Sequence, residues 1–174
     1  PWFGGTTFAI FPVSISPYTQ AQIAALLGRE PRGLEAVAVA DVEDQPMVIR
    51  GASLVEGKPF PNLFWLVDRA LVYKIDCEEA SGLIGRFQDR VDSDSNLQKK
   101  MRLDHQAHIE LRNSFIDDAT RVQLNRLEFW QVLQRRGIGG IADFGRIRCL
   151  HTWYASHLVV TNTVGAMLDQ HWAV

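Results

Sequence analysis

The spacing of apolar positions changes partway along the chain. Up to residue 67 the apolar residues fall in short runs: LEAVAVA at 34–40, PMVIR at 46–50 and LFWLV at 63–67. Such runs, bounded by Asp, Gly and Pro, predict strands, with the acidic turn Asp41–Gln45 joining the first two. A third extended piece at 52–55 leads into a turn stiffened by Pro59 and Pro61. One helix comes before the strands. Ser16 and Pro17 supply its cap and first-turn proline, Gly28 its stop, and Ile23, Leu26 and Leu27 its buried face. Residues 1–7 read as a loop or arm, and 8–15 as an extended piece interrupted by Pro12.

From Asp68 onward the period is helical. Asp68 caps a helix carrying Leu71, Val72 and Ile75 that ends near Gly82, and Leu83, Ile84, Phe87 and Val91 continue at helical spacing. The DSDS run at 92–95 ends that helix and caps the next. From there to Gly137 the pattern predicts two helices divided near Asp117–Asp118, and Val164–Trp172 closes the chain. The fold class that follows is α+β. A small antiparallel sheet in the strand-rich part (1–67) packs against a mainly helical part (68–174), within a single domain over 1–174.

Two apolar stripes contain ionisable residues. On the helix at 96–115, Leu97, Met101, Asp104, His108, Leu111 and Phe115 follow spacings of three and four. A buried unpaired charge is expensive, so Asp104 and His108 are expected to pair with each other or with a partner; otherwise the stripe is a solvated face that ends early. His105 lies beside them. In the segment Gly137–Val160, Phe144, Ile147, His151, Tyr154 and Leu158 form the second stripe, with His151 at its centre. At about 100° per residue, Cys149 and His151 would point to nearly opposite sides of a regular helix, out of reach of one another or of a shared metal. Cys149 then reads as a small buried hydrophobe near Trp153 and His157.

Loop cations are the other candidates. Gly139 and Gly140 precede this helix, and Arg146 and Arg148 are expected just inside it. Glycine turns ahead of a helix can present N–H groups to an anion, although a helix stop and hinge explains them as well. Lys58 beside the proline turn, and Arg32 between Pro31 and Gly33, could reach a phosphate or carboxylate, or serve only as solvated turn charges. No GxSxG, HExxH, CxxC, Walker A or dinucleotide pattern occurs.

Composition narrows the classes. Hydrophobic residues are 47% and charged residues 22% of 174, ordinary for a globular chain. A net charge of −2 with mixed signs leaves no footprint for nucleic acid or an anionic membrane. No apolar run approaches a membrane span. Two cysteines exclude a disulfide framework and point to a reducing, cytoplasmic setting. No signal peptide is visible, and a chain beginning at Pro1 carries no evidence about processing.

Three blocks carry a family resemblance. LLGREPRGLEAVAV, GKPFPNLFWL and RGIGGIADFGRIRCLHTWYASHL, in that order and spacing, resemble a widespread bacterial family known as domain of unknown function 501, over about Leu26 to Trp172. The resemblance implies a small cytoplasmic protein without an assigned activity. Many members look as if they carry cysteines in the hairpin after the VAV strand and just after the FWL strand. Here those places read Ala40–Asp44 and Val67–Arg69, so no metal is expected and the cofactor is unknown.

Two functions are consistent with these residues. In the first, a cleft lined by Asp104, His108 and His151 binds or acts on a small anionic ligand held by Arg32, Lys58, Gly139, Gly140, Arg146 and Arg148. One histidine would serve as acid or base and Asp104 would orient it. In the second, the chain is an interaction module, a homodimer or a subunit, with Trp2 and Trp172 as aromatic anchors.

Overall fold

The computed structural model describes residues 15–173, so the expectations for 1–7, for most of 8–15 and for Trp2 lie outside the described residues. Helix α1 (Pro17–Leu27) starts where the Ser16 side chain accepts the Thr19 amide at 3.0 Å, and stops at Gly28, whose φ of 70° needs no side chain. Strands β1 (Leu34–Ala40), β2 (Pro46–Gly51) and β5 (Phe64–Leu66) form one antiparallel sheet in the order β1-β2-β5. The third extended piece does not join it. Strand β3 (Leu54–Val55) pairs with β4 (Lys58–Pro59) in a separate hairpin turned by Glu56 and Gly57, both at positive φ (50° and 73°).

The period-2 alternation sorts the main sheet into two apolar faces. Ile49 and its partner Trp65, with Leu34 and Val37, pack under Ile23, Leu26 and Leu27 of α1. Val48, Phe64 and Val39 point the other way, against Ala155 and Leu158. The sheet is thus a middle layer between α1 and the helical part.

That part comprises α2 (Arg69–Ala80), α3 (Leu83–Ser93), α4 (Ser95–Ser114), α5 (Asp118–Arg126), α6 (Trp130–Gln134), a 3-10 turn (Ile138–Gly140), α7 (Leu150–Val159) and α8 (Thr163–Trp172). Asp68, Asp94 and Asp117 cap α2, α4 and α5 with their side chains, at the three acidic breaks in the pattern. Between 95 and 137 there are three helices rather than two, because a second break falls at Leu127–Phe129, with Glu128 at a φ of 60°. Among the described residues no helix is long and apolar enough to cross a membrane.

The buried face of α4 is Met101, His105, His108, Ile109 and Arg112, rotated from the predicted stripe so that Leu97, Leu111 and Phe115 are only half-buried. Arg112 is fully buried. Its guanidinium donates to the carbonyls of Pro61 at 3.0 Å, Arg136 at 2.8 Å and Leu133, tying the end of the hairpin region to the end of α6. Burial lowers its pKa to about 10, still a cation at neutral pH.

The helix expected to follow the glycines, with Phe144, Arg146 and Arg148 within it, begins only at Leu150. Three side chains explain the delay. Gln88 of α3 accepts the Ile147 amide at 2.9 Å and donates to the Gly145 carbonyl at 2.9 Å. Asp143 accepts the Gly145 amide at 3.0 Å. Glu79, from the end of α2, accepts the Leu150 amide at 2.6 Å. The amides of Gly145, Ile147 and Leu150 are therefore taken up by side chains, and a carboxylate sits where the N-terminus of α7 is most electropositive.

Candidate functional site

The predicted cluster of Asp104, His108 and His151 does not assemble. Asp104 accepts the Thr163 amide at 2.8 Å and so caps the turn into α8, rather than pairing with His108. His108 is buried against the edge of Phe64, and its Nε2 has no hydrogen-bond partner among the described residues. Burial, then the charges of Arg112 and His105, lower the His108 pKa to about 3. His105 is stacked on Phe144, its Nδ1 accepts the Ile138 amide at 3.0 Å, and burial lowers its pKa to about 4 with Asp143 partly opposing. Imidazoles this hard to protonate are poor general bases at neutral pH. The cavity beside Asp104 and His108 measures about 110 Å³, against roughly 300 Å³ for small ligand pockets. It has room for water and not for a metabolite.

His151 points elsewhere, toward α2. Its Nε2 faces the Asp76 carboxylate and the Val72 carbonyl, each at 3.3 Å, and its Nδ1 lies 3.3 Å from Glu79 Oε1. Cys149 Sγ is 3.7 Å from the same Nδ1. The expectation that these two side chains diverge is corrected here. Cys149 is not helical: at φ −154° and ψ 120° it is the extended residue that precedes α7, and the extension turns its sulfur back over the first turn. Nor does it neighbour His157, which is engaged by Asp169 at 3.0 Å and by the Asn162 amide at 3.0 Å. Contact with Cys149, and then Glu79 and the Val72 carbonyl, raise the His151 pKa to about 9 against the effect of partial burial. Asp76 and Glu79 escaped the sequence reading, although Val72, Asp76 and Glu79, spaced by four and three, already shared a helix face.

The glycines serve packing. A side chain on Gly139 would meet Thr152 Oγ1 at 2.6 Å, and one on Gly140 would meet Pro61 at 3.1 Å, both at positive φ. Arg146 lies in the loop before α7, not in the helix, and reaches Asp92 at 3.5 Å. Arg148 is exposed in the same loop. None of the four lines a cleft with Arg32 or Lys58. Trp172 is engaged internally, donating to Glu78 at 2.9 Å beneath Lys74.

Arg32 and Lys58 do come together. They edge a cleft of about 350 Å³ between the end of α1, the exposed end of the main sheet and the β3–β4 hairpin. Its apolar lining includes Leu34, Ile49, Phe60 and Trp65, the last two stacked with centroids 5.6 Å apart and planes 7° apart. Arg29 adds a third cation, its guanidinium 5.9 Å from the Trp65 ring centre. Among the described residues the single acidic one in the lining is Glu56, held loosely by Arg32 at 3.4 Å with both side chains exposed. Arg29 was visible in the GRE loop, but only the fold sets it over Trp65.

These features define an α+β protein with a cationic, aromatic-floored cleft on one side of its sheet and a Glu–Cys–His cluster where α2 meets α7. The chain belongs to the family described as protein of unknown function DUF501, whose pattern matches residues 37–170. The match includes Lys58, Glu79, Cys149 and His151 and begins after Arg29 and Arg32. Comparison with curated proteins and with solved structures found no match.

Proposed function

We propose that this protein binds a small anionic metabolite, a phosphate or carboxylate attached to a planar or aliphatic body, in the cleft beside the β3–β4 hairpin. The supporting observation is the lining: three cations, Arg29, Arg32 and Lys58, above an apolar floor of Leu34, Ile49, Phe60 and Trp65. A volume of about 350 Å³ suits a metabolite rather than a dinucleotide, since it falls near the low end of the roughly 300–1,000 Å³ typical of ligand pockets. The guanidinium of Arg32 can exchange its weak contact with Glu56 for a bidentate pair with the ligand. Binding rather than turnover is the reading, because among the described residues no histidine lines this cleft and Glu56 is its only carboxylate.

Calorimetric titration with phenyl phosphate, inorganic phosphate and phenol tests it. Phenyl phosphate should bind once per chain and more tightly than either fragment. Replacing Arg32 and Lys58 together with Ala should weaken it at least tenfold, whereas Glu56→Gln should strengthen it. Equal affinity in the double variant, with its fold intact, refutes the assignment.

A further inference from the structure

Glu79, Cys149 and His151 do not line the cationic cleft, and their three donor atoms lie within 4.8 Å of one another. We propose that they form a binding site for a zinc-class divalent transition-metal ion, through Glu79 Oε1, Cys149 Sγ and His151 Nδ1, with Asp76 orienting the imidazole from its far side. Geometry carries the assignment. Zinc bound at about 2.3 Å to sulfur and about 2.0–2.1 Å to nitrogen or oxygen, in a tetrahedron, sets donor–donor edges of about 3.3–3.6 Å. Two of the three observed edges are 3.3 Å from Nδ1 to Oε1 and 3.7 Å from Nδ1 to Sγ, and the third, from Oε1 to Sγ, is within 4.8 Å. A thiol, an imidazole and a carboxylate are donors zinc accepts, and three of them leave a fourth position for water or a ligand oxygen.

The outer contacts agree. His151 Nε2 faces Asp76 Oδ1 and the Val72 carbonyl, so the ring keeps its proton on that side when a metal displaces the one on Nδ1, and Nδ1 then offers its lone pair to the cluster. The same Glu79 oxygen, Oε1, accepts the Leu150 amide, which holds the carboxylate in place at the cluster. The side chains of His151 and Glu79 keep 21% and 26% exposure, enough for an ion to enter. A nucleophilic cysteine paired with His151 is the rival use of these atoms. A dyad needs only the thiol and the imidazole, whereas a bound cation also uses the Glu79 carboxylate, the third donor within 4.8 Å, so the metal accounts for all three groups.

Cobalt(II) added to chelator-treated protein tests the site. One equivalent should give the strong visible bands of a tetrahedral ion and a near-ultraviolet thiolate charge-transfer band, and zinc should displace it. Cys149→Ser should abolish the charge-transfer band, while Cys77→Ser, which alters the chain's other and exposed cysteine, should retain it. Asp76→Asn should weaken zinc about 10- to 100-fold with the cobalt spectrum preserved, an effect that loss of a merely structural contact would not produce. If His151→Gln does not fold, Cys149→Ser, which changes one atom, still decides. Absence of saturable binding, a band that survives Cys149→Ser, or alkylation of Cys149 by iodoacetamide at a rate zinc leaves unchanged would each overturn the proposal. Phenyl phosphate affinity should be the same in Cys149→Ser, so the two sites stand or fall separately.

Discussion

The Glu79 carboxylate accepts the Leu150 amide at 2.6 Å across 71 residues of sequence, so the last turn of α2 caps the first turn of α7. Cys149 offers no side-chain cap of its own. In metal-free protein, Glu79→Ala should therefore cost about 1 kcal/mol, the usual worth of a helix cap, and lower the melting temperature by about 2–4 °C. Glu79→Gln keeps a carbonyl oxygen in the same place and should lose less. Differential scanning calorimetry separates the two, and identical losses would mean that the cap contributes nothing.

Arg112 should be the least replaceable polar residue of α4. Arg112→Met removes the donors to Pro61, Leu133 and Arg136 and leaves their carbonyls without those partners, at about 3 kcal/mol or more in total. Arg112→Lys cannot reproduce the planar fork and should fall between. Urea denaturation gives the ranking, and a midpoint for Arg112→Met within error of wild type would contradict the role.

Gly137 is held to its identity by a neighbouring ring. A Cβ there would lie 2.2 Å from His105 Nδ1, and His105 is itself confined by Phe144 and Trp153. Gly137→Ala should destabilise by more than 1 kcal/mol, beyond any backbone preference for alanine, because the ring has no direction in which to move. Gly85→Ala, with open space around its Cβ on α3, is the matched control and should be neutral or stabilising. Equal stabilities of the two variants would show that the contact is relieved.

The buried histidines set an acid limit to stability. His105 and His108 resist protonation in the folded chain to about pH 4 and about pH 3, whereas in the unfolded chain each protonates near its ordinary 6.5. The unfolded state thus takes up more protons below 6.5. Their contribution is fully present above that pH and is lost as pH falls toward 4 and then 3, at up to about 1.4 kcal/mol per pH unit per histidine. Arg112, His105 and Asp143 are the charged or titratable neighbours acting on this pair, and the first two add to the effect of burial on His108. Urea titrations from about pH 7 to about pH 5 should show a shallower fall for His108→Leu than for wild type. Parallel falls would place the acid sensitivity elsewhere.

The strands and helix caps were legible because they are local. LEAVAVA alternates, and Ser16, Asp68, Asp94 and Asp117 each accept an amide two or three residues on. The α2–α7 junction was not, for a physical reason. Phe144, Ile147 and His151 fit a helical period, yet Gln88 and Glu79, from other helices, take up the Ile147 and Leu150 amides, and Cys149 between them is extended. A periodicity argument that assumes a helix there separates Cys149 from His151, and only the long-range contacts bring them together. The cleft was legible in part. Arg32 and Lys58 were marked by their turns, but Trp65 read as an ordinary strand residue until the pairing of β2 with β5 put it on the α1 face beside Ile49.

The central claim is the location of anion binding, and the indole N–H of Trp65 reports on it directly. This group donates to the Asn62 carbonyl at 3.2 Å at the floor of the cleft, whereas the indole of Trp153 is fully buried in the helical core. In a ¹H–¹⁵N spectrum, with Trp65→Phe identifying the resonance, phenyl phosphate should shift the Trp65 indole signal saturably and leave that of Trp153 unmoved. A saturable titration that shifts other resonances and not Trp65, or no saturation at all, would contradict the account.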